Sequence, residues 1–307
     1  MTTPAEDTFD LHVVDCPLCG PGPGFEVMYP ERLAGPALDF RARKTPAGIR
    51  FRYVRCEGCG LVYANPVPPL DVLARLYRGA TFLRESQVDN MIADYVRQFD
   101  RLRLPGRSRP RVLEIGCADG AFLAALADSG RADVWGCEPG RDAVARAPES
   151  VRDRIVNRPF EPGLFDADSF DAVCAFQVFD HVVHPAGMTR DIARVLKPGG
   201  LLLAINHNVR SLMTRLLGRR SPMFDVEHLQ LFAPRTMRRM ATAAGLKPLR
   251  AAPLASRYTL RYGLKMFPLP CRTRRRLLSA CEWLGLAGRS VWLPAGNMVT
   301  VARKPQG

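Results

Sequence analysis

The chain has 307 residues, 47% of them hydrophobic, which is enough for one large core with a smaller appendage. No run approaches the roughly 20 consecutive apolar residues of a membrane span, and Met1–Asp10 lacks the basic-then-apolar order of a signal peptide. A cytoplasmic location is therefore expected, where thiols stay reduced, and the nine cysteines point to metal binding or catalysis before disulfides. The formal net charge is +14 and it is local. Between Asn206 and Ser290, 17 Lys or Arg face three acids (Asp225, Glu227 and Glu282), a surplus equal to that of the whole chain.

Residues 1–69 are rich in Gly, Pro and Cys and read as a loop-built module. Cys16-Pro17-Leu18-Cys19 and Cys56-Glu57-Gly58-Cys59 each place two thiols on a tight turn, with Gly20 and Gly60 following where the turn needs room. Four thiolates suit Zn²⁺ in a closed tetrahedral site, with no position left open for catalysis. The 36 residues between the pairs exceed the 15–20 of the common template. Loop closure costs only about 0.6 kcal/mol per doubling of length, against roughly 10 kcal/mol from structural zinc. Two disulfides or a redox pair are the alternatives; compartment disfavours the first, and neither pair opens a βαβ unit. The expected zinc ligands are Cys16, Cys19, Cys56 and Cys59. Cys117, Cys137, Cys174, Cys271 and Cys281 are expected to be packing residues.

Residues 70–109 form a helical linker or cap. Leu73, Leu76 and Tyr77 repeat at helical spacing, as do Met91, Tyr95 and Phe99, and Pro105–Pro110 is a turn. From about residue 110 to the end, strands and helices alternate. Strands are predicted at Arg111–Gly116, Val134–Cys137, Arg154–Asn157, Phe170–Phe176 and Leu201–Ile205. Helices are predicted at Ala121–Leu126, Ala143–Ala147 and Met188–Leu196, the last stopped by the turn Lys197-Pro198-Gly199-Gly200. This alternation predicts an α/β fold with a doubly wound, mostly parallel sheet. The basic region follows: a loop, a helix over Arg235–Ala244, a strand near Leu246–Ala251, a basic amphipathic helical insertion at about 256–292, and a last strand at Asn297–Ala302.

Val112-Leu113-Glu114-Ile115-Gly116-Cys117-Ala118-Asp119-Gly120 ends the first strand of this region and opens a helix. Small residues let backbone approach a ligand closely, and the helix N-terminus offers free N–H groups. The second strand ends at Glu138, about 20 residues on, where an acid can accept from both ribose hydroxyls of a nucleoside. The G-x-G-x-x-G spacing of nicotinamide dehydrogenases is missing. The loop resembles the first motif of the class I methyltransferase family, and Trp135-Gly136-Cys137-Glu138-Pro139 resembles the second. Asn157-Arg158-Pro159-Phe160, Phe170-Asp171-Ala172-Val173, Phe176-Gln177-Val178-Phe179-Asp180-His181 and Leu196-Lys197-Pro198-Gly199-Gly200 continue the likeness in order, to about Ile205. The resemblance implies a Rossmann-like, seven-stranded sheet that binds S-adenosylmethionine. The implied contacts are Glu114, Gly116, Cys117, Ala118 and Gly120 in the loop, Glu138 and Pro139 at the second strand, Pro159 and Phe160 beside adenine, and Gln177 in the turn. Three departures stand out: Ala118 replaces the family's middle glycine, Asp180-His181 replaces a Glu-His pair, and Pro159 stands near the family's adenine-binding acid.

The second cysteine pair, continuing as Gly60-Leu61-Val62-Tyr63-Ala64-Asn65-Pro66, resembles the zinc-binding N-terminal part of a subgroup of bacterial small-molecule methyltransferases. That subgroup includes sugar C-methyltransferases and enzymes of surface-polysaccharide and natural-product assembly. The chain is short for the further large domain of the sugar C-methyltransferases, so other acceptors are expected. The resemblance implies His181 and His228, the latter in Phe224-Asp225-Val226-Glu227-His228-Leu229-Gln230-Leu231-Phe232, as active-site residues; a base of near-neutral pKa suits methylation of oxygen or carbon. His184 and His207 read as surface or strand-end residues. The basic insertion reads as a lid with a solvated face, a site for an anionic substrate such as a nucleotide sugar or carrier-bound phosphate, a contact for an anionic membrane surface, or a nucleic-acid contact. A small-molecule or glycan acceptor is the leading expectation. An RNA methyltransferase is the alternative, weakened by the absence of an Asn/Asp-Pro-Pro-Tyr/Phe motif at Phe176–Phe179. A zinc-ribbon binding protein with a dead methyltransferase fold is a third reading.

Overall fold

The computed structural model describes residues 10–33, 49–78, 87–104 and 108–306, apart from the side chain of Tyr77. Of the predicted 105–110 turn, Pro105–Arg107 lie outside these residues. Three strands come first, β1 (Phe25–Tyr29), β2 (Tyr53–Cys56) and β3 (Val62–Ala64), followed by helices α1 (Leu70–Arg78) and α2 (Gln87–Phe99). The alternating region contains β4 (Arg111–Ile115), α3 (Ala121–Asp128), β5 (Asp133–Cys137), α4 (Arg141–Ala145), α5 (Glu149–Arg152), β6 (Ile155–Val156), β7 (Phe170–Phe176), α6 (Pro185–Val195) and β8 (Leu196–His207). Then come α7 (Leu212–Leu217), β9 (Gln230–Leu231), α8 (Pro234–Ala243), β10 (Lys247–Thr259), α9 (Leu260–Met266), α10 (Cys271–Trp283) and β11 (Ser290–Arg303). None of the described helices is long and apolar enough to cross a membrane.

The large sheet has the order β10-β11-β8-β7-β4-β5-β6. It is parallel from β8 to β6, with β11 and β10 added antiparallel. Strand order reverses between β4 and β7, which creates the crevice where open α/β sheets bind ligands. The near-continuous apolar runs of β4, β7 and β8 follow from helices covering both faces. On one face Tyr95 of α2 stacks on Phe176 at 4.1 Å, and Phe122 of α3 meets the same ring edge-on at 4.9 Å. On the other, Ile192, Val195, Met237 and Met240 bring α6 and α8 into a shared apolar cluster.

Two boundaries and one cysteine differ from the sequence reading. The Lys197–Gly200 turn stays inside β8 as a bulge, between the pairs Phe170↔Leu196 and Ala172↔Leu201. It is pinned because Gly199 N donates to Lys304 O and Lys304 N donates to Gly200 O. The region expected to be helical from about 256 to 292 begins and ends as strand: β10 and β11 remain paired out to Thr259↔Ser290, and α9 and α10 lie between them. Edge strand β10 holds its extended form there because α2 supplies partners. Gln87 Oε1 accepts from Thr259 N, Gln87 Nε2 donates to Arg257 O, and Asp94 Oδ2 accepts from Arg257 N. Finally, Cys271 opens α10 exposed to solvent and is no packing residue, whereas Cys117, Cys137, Cys174 and Cys281 are buried.

The N-terminal strands do not complete a sheet on their own. The order β1-β2-β3-β9 takes its last strand from the segment after α7, with Val62↔Leu231 and Tyr63↔Gln230 paired. The loop after β8 thereby becomes part of the cysteine module. Leu231 is fully buried at this seam. Leu231→Ala should cost about 2–5 kcal/mol, read as a lower urea midpoint at unchanged m-value.

Candidate active site

The end of β4 turns sharply into α3. Gly116, Ala118 and Gly120 all take left-handed backbone, with φ of 66°, 50° and 68°. Ala118 is thus in a conformation that costs an L-residue about 1 kcal/mol or more. A side chain on Gly116 would come within 2.7 Å of Val178 Cγ2, so this loop and the turn after β7 are in contact. Glu138, at the end of β5, closes the loop from the other side. Its Oε2 accepts from Ala118 N at 3.0 Å and its Oε1 from Gly140 N at 2.7 Å. Burial raises its pKa, while these two bonds oppose the rise. Asn157 Nδ2 donates to Glu138 O, which brings the predicted adenine segment alongside; Pro159 there is exposed and Phe160 half-buried, facing Phe165. Cys117 contributes backbone only, since its side chain is buried under α3.

Several buried polar atoms at the carboxyl ends of β4, β7 and β8 have no hydrogen-bond partner among the described residues. They are Glu114 Oε2, Gln177 Oε1, Asp180 Oδ1, and both amide atoms of Asn206. Buried polar groups are nearly always satisfied. Such a row along adjacent strands therefore marks a place for a polar ligand. Burial, then the neighbouring Asp119 and Glu138, drive the Glu114 pKa well above the carboxylate range. A ligand ammonium, which only donates, would satisfy acceptors of this set such as Glu114 Oε2 and Gln177 Oε1.

Beside this row lie three histidines. The His181 and His228 rings are 5.0 Å apart, and His207 and His228 are 4.6 Å apart. His181 Nδ1 donates to Glu227 O and His228 Nδ1 to Met223 O, each at 2.8 Å. A carbonyl can only accept, so both rings carry their proton on Nδ1. His207 Nδ1 lies 2.8 Å from Oδ2 of Asp180, which is wholly buried. The carboxylate fixes the same tautomer and leaves Nε2 as the basic nitrogen. The His207 side chain remains 23% exposed. His181 is half-buried, and desolvation lowers its pKa, partly offset by Asp180.

The structure brings the two histidines named from the sequence, His181 and His228, close together, and sets His207, read from the sequence as a surface or strand-end residue, beside them. The available signal was its position at the carboxyl end of β8, next to the crevice. Its partner Asp180 is 27 residues away in sequence, which no local spacing reveals. His184 is an exposed residue before α6.

The four cysteine sulfurs converge within 4.8 Å of one another. Cys16 and Cys59 are 3.6 Å apart and Cys19 and Cys56 3.9 Å, well beyond an S–S bond. The two turns are built alike. Gly20 N donates to Cys16 O and Gly60 N to Cys56 O, each at 2.8 Å, and the two glycines have φ of 72° and 73°. Leu61 N points at Cys59 Sγ, as backbone donors do around a metal-bound thiolate. A hydrogen bond from Cys59 lowers the Cys16 thiol to about 5 and raises the pKa of Cys59 in turn. The donor set fits a tetrahedral Zn²⁺.

A glycine-turn loop at the switch point, an acid at the next strand end and basic side chains at the crevice mouth define a nucleoside-dependent transferase of the doubly wound class. The family described as "Methyltransferase domain" matches residues 86–251, more than half of the chain, and the chain belongs to it. It is an S-adenosylmethionine-dependent methyltransferase. The Ubiquinone biosynthesis O-methyltransferase of Alkalilimnicola ehrlichii is 30% identical over 185 residues, covering 54% of this chain and 73% of that protein. The enzyme of the same name from Aeromonas salmonicida is 26% identical over 168 residues, covering 49% and 70%. Among solved structures, the cyclase SpnF aligns with 72% of this chain and 82% of its own at 22% identity, with a TM-score of 0.49.

Two outcomes are expected. Ala118→Gly relieves the left-handed alanine and should raise stability by up to about 1 kcal/mol in urea unfolding. Glu114 has a folded-state pKa above that of the unfolded chain, so the folded state holds the extra proton. Its contribution is complete below the usual carboxylate range, about 4.3, and is lost as pH rises toward the raised value. Glu114→Gln should therefore flatten the fall in urea midpoint of the ligand-free protein as pH rises above about 4.3.

Proposed function

We propose that the protein transfers a methyl group from S-adenosylmethionine to a hydroxyl of a small-molecule or glycan acceptor in natural-product or cell-surface polysaccharide assembly. The observation that carries this reading is the Asp180–His207 pair, with His181 and His228 beside it, at the mouth of the crevice next to the glycine loop. The name O-methyltransferase borne by the sequence relatives supports oxygen as the nucleophile. The likeness of the cysteine module to that of surface-polysaccharide and natural-product enzymes supports the acceptor class.

In this reading the backbone of Gly116–Gly120 and the Glu114 carboxyl hold the methionine part of the cofactor. Glu138 and Pro139 hold the ribose, Pro159 and Phe160 flank the adenine, and Gln177 faces the transferring group. The bound cofactor supplies an electrophilic methyl on a sulfonium. His207 Nε2 takes the acceptor's proton, and Asp180 stabilises the imidazolium that forms. His181, kept neutral by burial, and His228 orient the acceptor hydroxyl. Cys16, Cys19, Cys56 and Cys59 hold a structural zinc, which fixes the sheet that β9 completes and, through it, the segment carrying His228.

Calorimetry should show micromolar S-adenosylhomocysteine binding, weakened at least roughly tenfold by Glu138→Ala. Absence of binding by folded, zinc-loaded protein defeats the cofactor assignment. With a phenolic or sugar hydroxyl that gives turnover, His207→Ala should lower kcat by about 10²–10⁴ at unchanged cofactor affinity, and Asp180→Asn should lower kcat in the same direction. Full activity of both variants removes His207 as the base. Elemental analysis should find one zinc per chain, absent from Cys56→Ser, and chelation should lower the thermal midpoint.

A further inference from the structure

A second cavity, of about 450 Å³, lies between the turn after α7 and helices α9 and α10. Six cations line it: Arg32, Arg50, Arg219, Arg220, Lys265 and Arg274. No acid lines it among the described residues. We propose that this cavity binds a diphosphate group carried by the acceptor, an inference that rests on the small-molecule methyltransferase reading above.

The cations reach the cavity from separate parts of the chain. Arg32 and Arg50 face each other through paired backbone bonds, Arg32 N to Arg50 O at 2.9 Å and the reverse at 2.8 Å. Arg219 and Arg220 sit in the turn after α7, Lys265 on α9 and Arg274 on α10. Arg50 is only 6% exposed. Its Nε donates to Pro30 O at 3.1 Å, and no carboxylate among the described residues pairs with it. Burial, then Arg32 and Arg219, push its pKa down. Burying an unpaired guanidinium among like charges is destabilising unless an anion neutralises it.

Arg32, Arg219 and Arg220 are exposed like a solvated basic face, but differ from one in their partners. Arg261, on α9, is exposed and pairs with Glu282 at 3.4 Å. The cavity arginines have no such acid among the described residues. Guanidinium forks match phosphate oxygens two at a time, and six cations exceed the need of a single carboxylate. The volume lies in the range of small-ligand sites, about 300–1,000 Å³.

The cavity is also joined to the histidines. Its wall includes Phe224, whose ring packs edge-on against Tyr29 at 4.8 Å and Tyr53 at 5.1 Å. Tyr53 Oη donates to Asp225 O and His228 O, and Met223 O accepts from His228 Nδ1. One braced segment, 219–228, therefore carries both the arginine turn and an active-site histidine. Both a nucleoside diphosphate sugar and a polyprenyl diphosphate carry the diphosphate group.

The test is calorimetry on the full, zinc-loaded chain with inorganic diphosphate, uridine diphosphate and geranyl diphosphate, in about 150 mM salt. The wild type should bind diphosphate with Kd below about 1 mM. Arg219→Gln/Arg220→Gln/Arg274→Gln should weaken it at least roughly tenfold while S-adenosylhomocysteine binding is unchanged. Tighter binding of uridine diphosphate assigns a nucleotide source, and tighter binding of geranyl diphosphate a lipid source. If the triple variant loses S-adenosylhomocysteine affinity, Arg219→Glu alone, at an exposed position, carries the same comparison. No diphosphate binding, or equal binding by the variants, overturns the proposal. Loss of S-adenosylhomocysteine binding by the wild type overturns instead the methyltransferase reading on which it rests.

Discussion

Asp180 is wholly buried and joins three segments that are distant in sequence. Its carboxylate accepts from His207 N and Nδ1 at the end of β8, while its backbone carbonyl accepts from Leu229 N and Gln230 N. A carboxylate so placed is stable only when these donors stay aligned. The same contacts bring the turn after β7, the end of β8 and strand β9 together. Gln230 reinforces the junction by donating to Phe179 O and Val182 O. The orientation of His207 and the completion of the small sheet are thus two consequences of one buried group.

The cysteine module and the large sheet are energetically one object for the same reason. Cys16, Val54, Cys56, Leu61 and Tyr63 share an apolar cluster with Phe232, Met237 and Met240. Arg239 of α8 donates to Gly58 O, holding the second cysteine turn against the helix. Anything that orders the four thiols therefore also orders the segment from Phe224 to Phe232, which carries His228. Four thiolates in a closed tetrahedral site would leave no position for a reacting ligand, so the module bears on the rest of the fold through position alone.

The charge follows a different logic. A surplus spread along 85 positions of sequence would by itself describe a solvated surface. The fold instead gathers part of it around one cavity, burying Arg50 among its own kind. That arrangement opposes stability unless an anion is bound, which is the ground for the diphosphate proposal.

Local spacing determined much of this protein. Small residues at positions 116, 118 and 120 permit a tight turn, an acid ends the next strand, and each C-x-x-C-Gly folds a turn that presents two thiols; these depend on a few neighbouring residues, and the structure repeats them. The period of apolar residues likewise marked most strands and helices of the large sheet. What tertiary structure decided lies in contacts between distant segments. β9 is two residues long and is a strand only because β3 offers it a partner. The β10–β11 arms outrun their expected ends because Gln87 and Asp94 cap the edge. His207 gains its carboxylate, and Arg50 its company of cations, only when remote chain is brought alongside, because hydrogen bonds and charges act through space and leave no mark on sequence spacing.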